Sequence, residues 1–441
     1  MYANILGLMA LCLLWPVLAL SGPRIEHWQT DKGSRVYYVH NPELPLVDIQ
    51  VVFDAGSARD GDRYGLATLT ASLLDSGAGE WDADTIAGRL ETVGAVLSTG
   101  ASRDTSWLDL RSLTETAKLK TALTTAAEIL AHPRFDRSDF LREKKRLLLA
   151  LKQRGESPGQ IAGRMFFYAL YGEHPYAHPV EGEPETVEKL TPGDLAGFHS
   201  KYYVAANAVV VIVGALEREQ AAEVAERLTV GLPRGESPPP LPPVELPGKA
   251  RTLRKPFPSA QTHLYTGVPV LRRGDPDYFA LYVGNHVLGG GGFTSRIVKQ
   301  VREERGLSYS AYSYFRPMKG KGPFVAGLQT RNDQAWPALE VLRQTIREFI
   351  RQGPSDEELE AAKKNITGGF VLRYDSNAKL ADYVAMIGFY GLPLDYLDTF
   401  AKRVNAVTRR QIIDAFRRRL DPARFQTVLV GGGAVADGKK E

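Results

Sequence analysis

An α+β architecture of two duplicated domains, each a largely antiparallel sheet with helices packed on it, is what this chain should adopt. Three observations lead there. Strand-like and helix-like stretches are mixed, without the strict alternation of a doubly wound parallel sheet. A Pro-dense segment, Gly231 to Lys249 (GLPRGESPPPLPPVELPGK), favours an extended connector and divides the chain into two portions of about two hundred residues. A set of residues also recurs across that connector at one offset, 355 − 138 = 217. Ser138-Asp139 returns as Ser355-Asp356, and Val187, Leu190, Thr191 and Leu195 return as Val404, Val407, Thr408 and Ile412. The Val-rich strand ending at Gly214 returns as one ending at Gly431. Agreement at three separate places implies an internal duplication rather than a many-repeat solenoid.

In chain order, Val47, Ile49, Val51 and Phe53 alternate with more polar positions, as a half-buried strand requires. Arg35 to His40 reads as its hairpin partner, after Asp31-Lys32-Gly33. Residues 65–76 switch to helical period, with Leu66, Leu69, Leu73 and Leu74 on one stripe. Strands follow near 95–101 and 106–113, then helices near 117–131, 136–154, 159–171 and 192–203. The second half repeats that order. The resulting division is 24–230 and 250–435 for the two domains, 231–249 for the linker and 436–441 for a tail.

Composition narrows the function classes. With 44% hydrophobic and 24% charged residues, 42 Gly and 27 Pro, the 441-residue chain is globular in composition, neither disordered nor collagenous. Its net charge, 55 − 51 = +4, is spread without long basic runs, so capture of nucleic acid is not indicated. Residues 1–23 carry no charge, and Ile5 to Leu20 form an apolar stretch suited to a secretory h-region, so 1–21 reads as a signal peptide and the protein as exported, to a periplasm. No Lys or Arg precedes Ile5, and an uncleaved anchor stays open. Beyond that segment no membrane association is expected. The single Cys, Cys12, lies inside the apolar run behind Leu11, where a lipoprotein signal wants a small residue. Cleavage would leave no thiol for disulfides or nucleophilic work.

Several motifs, in order, carry a resemblance. Gly65-Leu66-Ala67 opens the first helix; Leu130-Ala131-His132-Pro133-Arg134-Phe135 and Tyr171-Gly172-Glu173-His174-Pro175-Tyr176 follow. Then comes Gly291-Gly292-Phe293-Thr294-Ser295-Arg296, running on to Arg302-Glu303-Glu304-Arg305-Gly306-Leu307-Ser308-Tyr309-Ser310. Across residues 27–435 the chain resembles the pitrilysin/insulinase family of zinc peptidases, which includes mitochondrial processing peptidase. That resemblance implies the mitochondrial-processing-peptidase-like (LuxS-like) metallohydrolase fold.

Active members of that family carry His-x-x-Glu-His on the helix that starts Gly-Leu-Ala. Residues four apart on a helix share a face, so two imidazoles there bind one Zn²⁺ while the Glu polarises water. Here the stretch reads Thr68-Leu69-Thr70-Ala71-Ser72. Neither Thr68 nor Ser72 is a competent zinc ligand, Ala71 cannot act as a base, and the family's third ligand, a Glu, would fall near Ala150. Glu143 matches a supporting acid, although an isolated Glu on such a helix is more often solvated or ion-paired. His174 and His178 are four apart, but Pro175 and Pro179 forbid the helix that would join them. His27, His40, His132, His199, His263 and His286 are scattered singly, so no bound zinc is expected in this chain.

The resemblance also implies a positive role for the second half. In the family the domain opposite the zinc supplies an Arg and, seven residues on, a Tyr that bind the substrate backbone and the oxyanion. Arg302 and Tyr309 have that spacing in the matching motif. The competing reading makes Arg302 part of an exposed charged helix face, with Lys299, Glu303, Glu304 and Arg305, and Tyr309 a strand aromatic. Gly289 to Gly292 lack the Gly-Lys-Ser/Thr of a phosphate loop and read as a tight, mobile turn before a Thr294–Arg305 helix. The functional expectation is a zinc-free subunit of a two-chain peptidase, inactive alone, whose zinc-bearing homologue supplies the metal in a heterodimer acting on peptides. The alternative is a non-enzymatic peptide-binding or assembly protein of the same fold.

Overall fold

The computed structural model describes residues 22–432; the expected signal segment with Cys12 and the 436–441 tail lie outside the described residues. The strands are β1 (Glu26–Gln29), β2 (Arg35–His40), β3 (Leu46–Phe53), β4 (Gly77–Ala78), β5 (Trp81–Asp82), β6 (Val96–Ala101), β7 (Ser106–Leu113), β8 (Ala208–Gly214), β9 (Arg251–Lys255), β10 (Gln261–Leu271), β11 (Ser308–Phe315), β12 (Gly322–Arg331) and β13 (Gln426–Val430). One sheet runs β1-β2-β8-β3-β7-β6, the other β11-β12-β10-β13-β9, and β4 and β5 form a small ribbon. Read from opposite ends, β2-β8-β3-β7-β6 matches β9-β13-β10-β12-β11 strand for strand. In both, the first pair is parallel and the others antiparallel. The duplication is therefore one of topology, and the α+β class follows from it.

The expected hairpin between Arg35–His40 and the strand at 47–53 is not formed. β8 lies between them, pairing with β2 in parallel and β3 antiparallel, and β2 makes its hairpin with β1. Composition explains the insertion. Ala208–Gly214 (AVVVIVG) is apolar and buried at every position, as suits a central strand covered on both faces.

What covers those faces joins the halves. Val210 and Ile212 pack with Val36, Tyr38, Val47 and Ile49 under helices of their own half. Val209, Val211 and Val213 instead join Val384, Ala385 and Ile387 of the second-half helix Asn377–Tyr390. The Arg35 guanidinium donates to the Gly388 carbonyl at 3.0 Å. Reciprocally, the first-half helix Pro158–Tyr171 lies on β10 and β13, where Phe166 packs with Val428 and Val430 and its ring stands 5.8 Å from Tyr265. Each sheet is completed by a helix from the other half. A polar latch lies beside this exchange: buried Asp104 accepts from Tyr176 Oη at 2.5 Å, Tyr390 Oη at 2.9 Å and the Lys319 N–H at 2.8 Å.

The recurring residues have physical reasons, with one exception. Thr191 and Thr408 are both N-caps, each accepting from the backbone N–H three residues on at 3.3 Å. Gly214 and Gly431 both close their strands at positive φ, 155° and 149°, where a Cβ would lie 2.3 Å from the Leu46 oxygen and 2.5 Å from the Gln261 oxygen. Ser355 caps the Asp356–Gly368 helix, but Ser138 sits inside the Arg137–Gly155 helix, so that match joins two different roles. Thr408→Ala should cost about 1 kcal/mol, the usual loss of an N-cap, read as a lower urea midpoint at unchanged slope.

His199 ties the Pro192–Tyr202 helix to the first core. It is 8% exposed, its Nε2 lies 2.9 Å from the Leu130 oxygen, and its ring stacks on Tyr203. Burial pulls its pKa down to about 4, and does the same for His178. Both rings fold neutral, so the stability they contribute is whole above the ordinary value of 6.5 and drains as pH falls toward 4. Asp109, whose carboxyl burial holds up at about 6, gains a proton in the fold first and offsets part of that loss. Replacing His199 by Gln removes one of the two histidine contributions, so the stability difference between pH 7 and pH 4.5 should be smaller in His199→Gln than in the wild type; equal differences in denaturant titrations would contradict it.

Candidate functional site

The helix that opens at Gly-Leu-Ala spans Leu66–Ser72, shorter than the periodic stretch 65–76. Its amino end is fixed from below: the buried Asp60 carboxyl accepts from the Gly65 and Ala67 N–H groups, both at 2.8 Å. Leu66, Leu69, Leu73 and Leu74 face the first core. That leaves Thr68 and Ser72 half-buried on the opposite side.

There the two hydroxyls are spent on carbonyls. Thr68 Oγ1 donates to Val180 O at 2.7 Å and Ser72 Oγ to Leu69 O at 3.1 Å. Ala71 is 0% exposed and Ala150, half-buried on the Arg137–Gly155 helix, offers a methyl group. A catalytic zinc needs three imidazole, thiolate or carboxylate ligands and a water, and these four side chains supply none. The residues present do not fit the ion. Glu143 is held by Arg146, whose Nε lies 2.9 Å away. Asp75, which no sequence motif marks, lies near it, and its carboxyl is pushed up by burial first and by Glu143 second. No group of three or more His, Cys, Asp or Glu side chains suited to a metal occurs among the described residues.

Six of the eight histidines are held in structural contacts, His199 as described above. His174 and His178 fall in a turn after the Pro158–Tyr171 helix; His174 Nε2 reaches the Pro242 carbonyl at 2.9 Å and the His178 ring stacks on Tyr64 at 4.1 Å. His27, His40 and His132 lie within hydrogen-bond distance of Val36 O, Leu216 O and the Glu128 carboxylate.

Arg302 and Tyr309 lie on two elements joined by a tight turn. The helix expected over Thr294–Arg305 is broken into a 3₁₀ turn, a short α-turn at Arg296–Val298 and a widened π-turn at Lys299–Glu303 that carries Arg302. Such widened turns recur at functional sites. The Gly run before it is no free turn. His286–Gly290 continues as a wide helical turn, and a Cβ on Gly289 would lie 2.3 Å from Ser313 Oγ, so close packing against β11 demands glycine.

Gly306 then donates to Arg302 O at 2.9 Å and turns the chain into β11, an edge strand. Pairing jumps from Ser308–Thr330 to Ser310–Gln329, which makes Tyr309 the extra residue of a β-bulge. Ser308 Oγ pins that bulge, donating to Gln329 O at 2.6 Å and accepting from the Ser310 N–H at 3.1 Å. The result is an 88% exposed Tyr309. Arg305 takes up Glu304 and Gln300, while the Arg302 guanidinium is stacked 4.7 Å over the exposed Phe293 ring. Ser308→Ala should lower stability by about 1 kcal/mol and relax the bulge, seen as faster amide exchange at Ser310.

Two sheets of matching order, a Gly-Leu-Ala helix without metal-ligating side chains at Thr68, Ala71 and Ser72, and a π-turn with Arg302 that leads into the edge strand carrying Tyr309 define a metallopeptidase-like scaffold without its metal chemistry. The profile described as "Insulinase (Peptidase family M16)" matches residues 35–183, and that of "Peptidase M16 inactive domain" matches residues 189–366. The crystal structure of a peptidase M16 inactive domain from Pseudomonas fluorescens is 35% identical, with TM-score 0.90 over 93% of this chain and 98% of that one. The non-peptidase homolog YmxG of Helicobacter pylori is 27% identical over 91% of this chain and 93% of its own. A Helicobacter pylori protease, 19% identical, shares the fold with TM-score 0.86 over 93% of this chain and all of that one. The chain belongs to the pitrilysin/insulinase family, peptidase family M16, and is an inactive member of it.

Proposed function

We propose that this chain is the non-zinc subunit of an exported two-chain peptidase, a heterodimer with a zinc-bearing homologue that carries His-x-x-Glu-His. Arg302 and Tyr309 serve the partner's site: the guanidinium holds a substrate carbonyl and the phenol donates to the charge that develops on oxygen. Substrates are extended peptides, paired through their backbone with a strand edge such as β11. The observation that supports this reading most is the placement of Tyr309, almost wholly in solvent on a bulge pinned by Ser308, seven residues after an Arg302 that stacks on Phe293 and has no ion pair among the described residues. The test is to purify the chain alone and with a zinc-bearing homologue encoded beside it, then measure metal content and peptide cleavage. Cleavage should need both chains, with zinc following the partner; full hydrolysis by the lone chain would reject the assignment.

A second reading, a non-enzymatic peptide-binding or assembly protein, is favoured by the name of its Helicobacter pylori relative, a non-peptidase homolog. Under it, changes at Arg302 and Tyr309 leave the activity of any partner intact.

A further inference from the structure

Next to the vacated ligand positions lies a cavity of about 650 Å³. Val180, whose carbonyl receives the Thr68 hydroxyl, and Leu151, the neighbour of Ala150, both form its wall. Its charge is lopsided. Arg154 and Arg164 are matched by Glu181 and Glu183, at 2.6 and 2.5 Å, but Arg103 and Arg316 have no ion pair among the described residues. Asp104, beside Arg103 in sequence, has its carboxylate committed to Tyr176, Tyr390 and Lys319.

Arg103 is only 7% exposed. Its Nε and Nη2 donate to the Tyr176 and His178 carbonyls at 3.1 and 3.2 Å, and its guanidinium lies 3.8 Å over Phe167. Nη1 has no bond to the described residues. Arg103 and Arg316 both line this cavity, and burial, and then the proximity of Arg316, bring the Arg103 pKa down to about 10. Keeping a buried cation beside a second one is costly unless an anion completes the set. Ile161 and Phe167 give the same cavity an apolar wall, so an inorganic ion alone would leave most of it unfilled.

We propose that this cavity binds a carboxylate carried by an extended peptide, with Arg103 and Arg316 as its donors. The carboxylate belongs to a peptide C-terminus or to an Asp or Glu side chain. Both offer the same two-oxygen acceptor to a guanidinium fork. Arg316 reaches in from the end of β11, so one cavity is lined from both halves of the molecule. The inference rests on the reading that the chain handles extended peptides, and concerns this chain alone.

The test uses fluorescence polarisation on the purified full chain with one fluorescein-labelled apolar nonapeptide in three forms: free C-terminal acid, C-terminal amide, and amide with an internal Glu. The acid should bind about tenfold or more tighter than the plain amide, the worth of one charge-assisted hydrogen-bond set. Arg316→Ala, which leaves the Arg103 clamp on Tyr176 and His178 untouched, should abolish that preference while circular dichroism stays unchanged. Recovery by the Glu-bearing amide assigns the site to a side chain; no recovery assigns it to the terminus. Equal binding of all three forms, no binding of any, or a preference that survives Arg316→Ala would overturn it. If the preference holds while no zinc homologue gains activity, only the heterodimer reading falls; if cleavage by the pair holds and the preference is absent, only the carboxylate site falls.

Discussion

Arg302→Ala should lower peptide turnover by the two-chain complex about a hundredfold, with little change in how tightly the chains associate. The size follows from where the donor acts. A guanidinium aimed at a carbonyl that becomes an oxyanion contributes most in the transition state, so kcat falls more than KM rises. Tyr309→Phe removes one O–H and keeps the ring, and should cost a similar order for the same reason. The variants are folding-safe, because Tyr309 is 88% exposed and the Arg302 side chain contacts the exposed ring of Phe293. Phe293→Ala separates orientation from charge: losing the stacked ring frees Arg302 without removing it, so it should cost roughly tenfold or less, about 1 kcal/mol of cation–π contact. Wild-type turnover in both Arg302→Ala and Tyr309→Phe complexes would favour the non-enzymatic reading. Single-turnover kinetics on the reconstituted pair decides it.

Much of the scaffold was legible because the physics is local. Thr191 and Thr408 announce helix starts wherever they stand, and Gly214 and Gly431 mark places where a Cβ would strike the next strand. The loss of the metal site was legible too, since Thr68, Ala71, Ser72 and Ala150 lack ligand atoms regardless of geometry. Pairing was harder. The hairpin expected for Arg35–His40 fails because β8, more than 160 residues later, outcompetes β3 for it, and strand order is a non-local choice. The uninterrupted AVVVIVG run was the available signal, since a strand without alternation needs cover on both faces. Arg103 gave no warning at all: it is buried and bonded to carbonyls but has no ion pair among the described residues, a condition that only the folded environment defines.

The exchange of helices between halves makes the second large effect a structural one. Phe166→Ala should destabilise the protein by about 3–5 kcal/mol, the usual cost of emptying an aromatic site in a closed core. Phe166 is 1% exposed and belongs by sequence to the first half, yet its ring lies against Tyr265 and shares a cluster with Val325, Val428 and Val430 of the second sheet. Truncating it loosens both halves together. Were the Pro158–Tyr171 helix attached only to its own half, the ring would be exposed and the cost under about 0.5 kcal/mol, as expected for Leu141→Ala on the surface of the preceding helix. Urea titration of the three proteins distinguishes these outcomes. A Phe166→Ala loss as small as that of Leu141→Ala would mean that the helix does not close the second sheet. A full loss, with the two sheets' protection falling at one denaturant concentration, means the duplicated halves fold as one cooperative unit, because each lacks the inner cover that only the other provides.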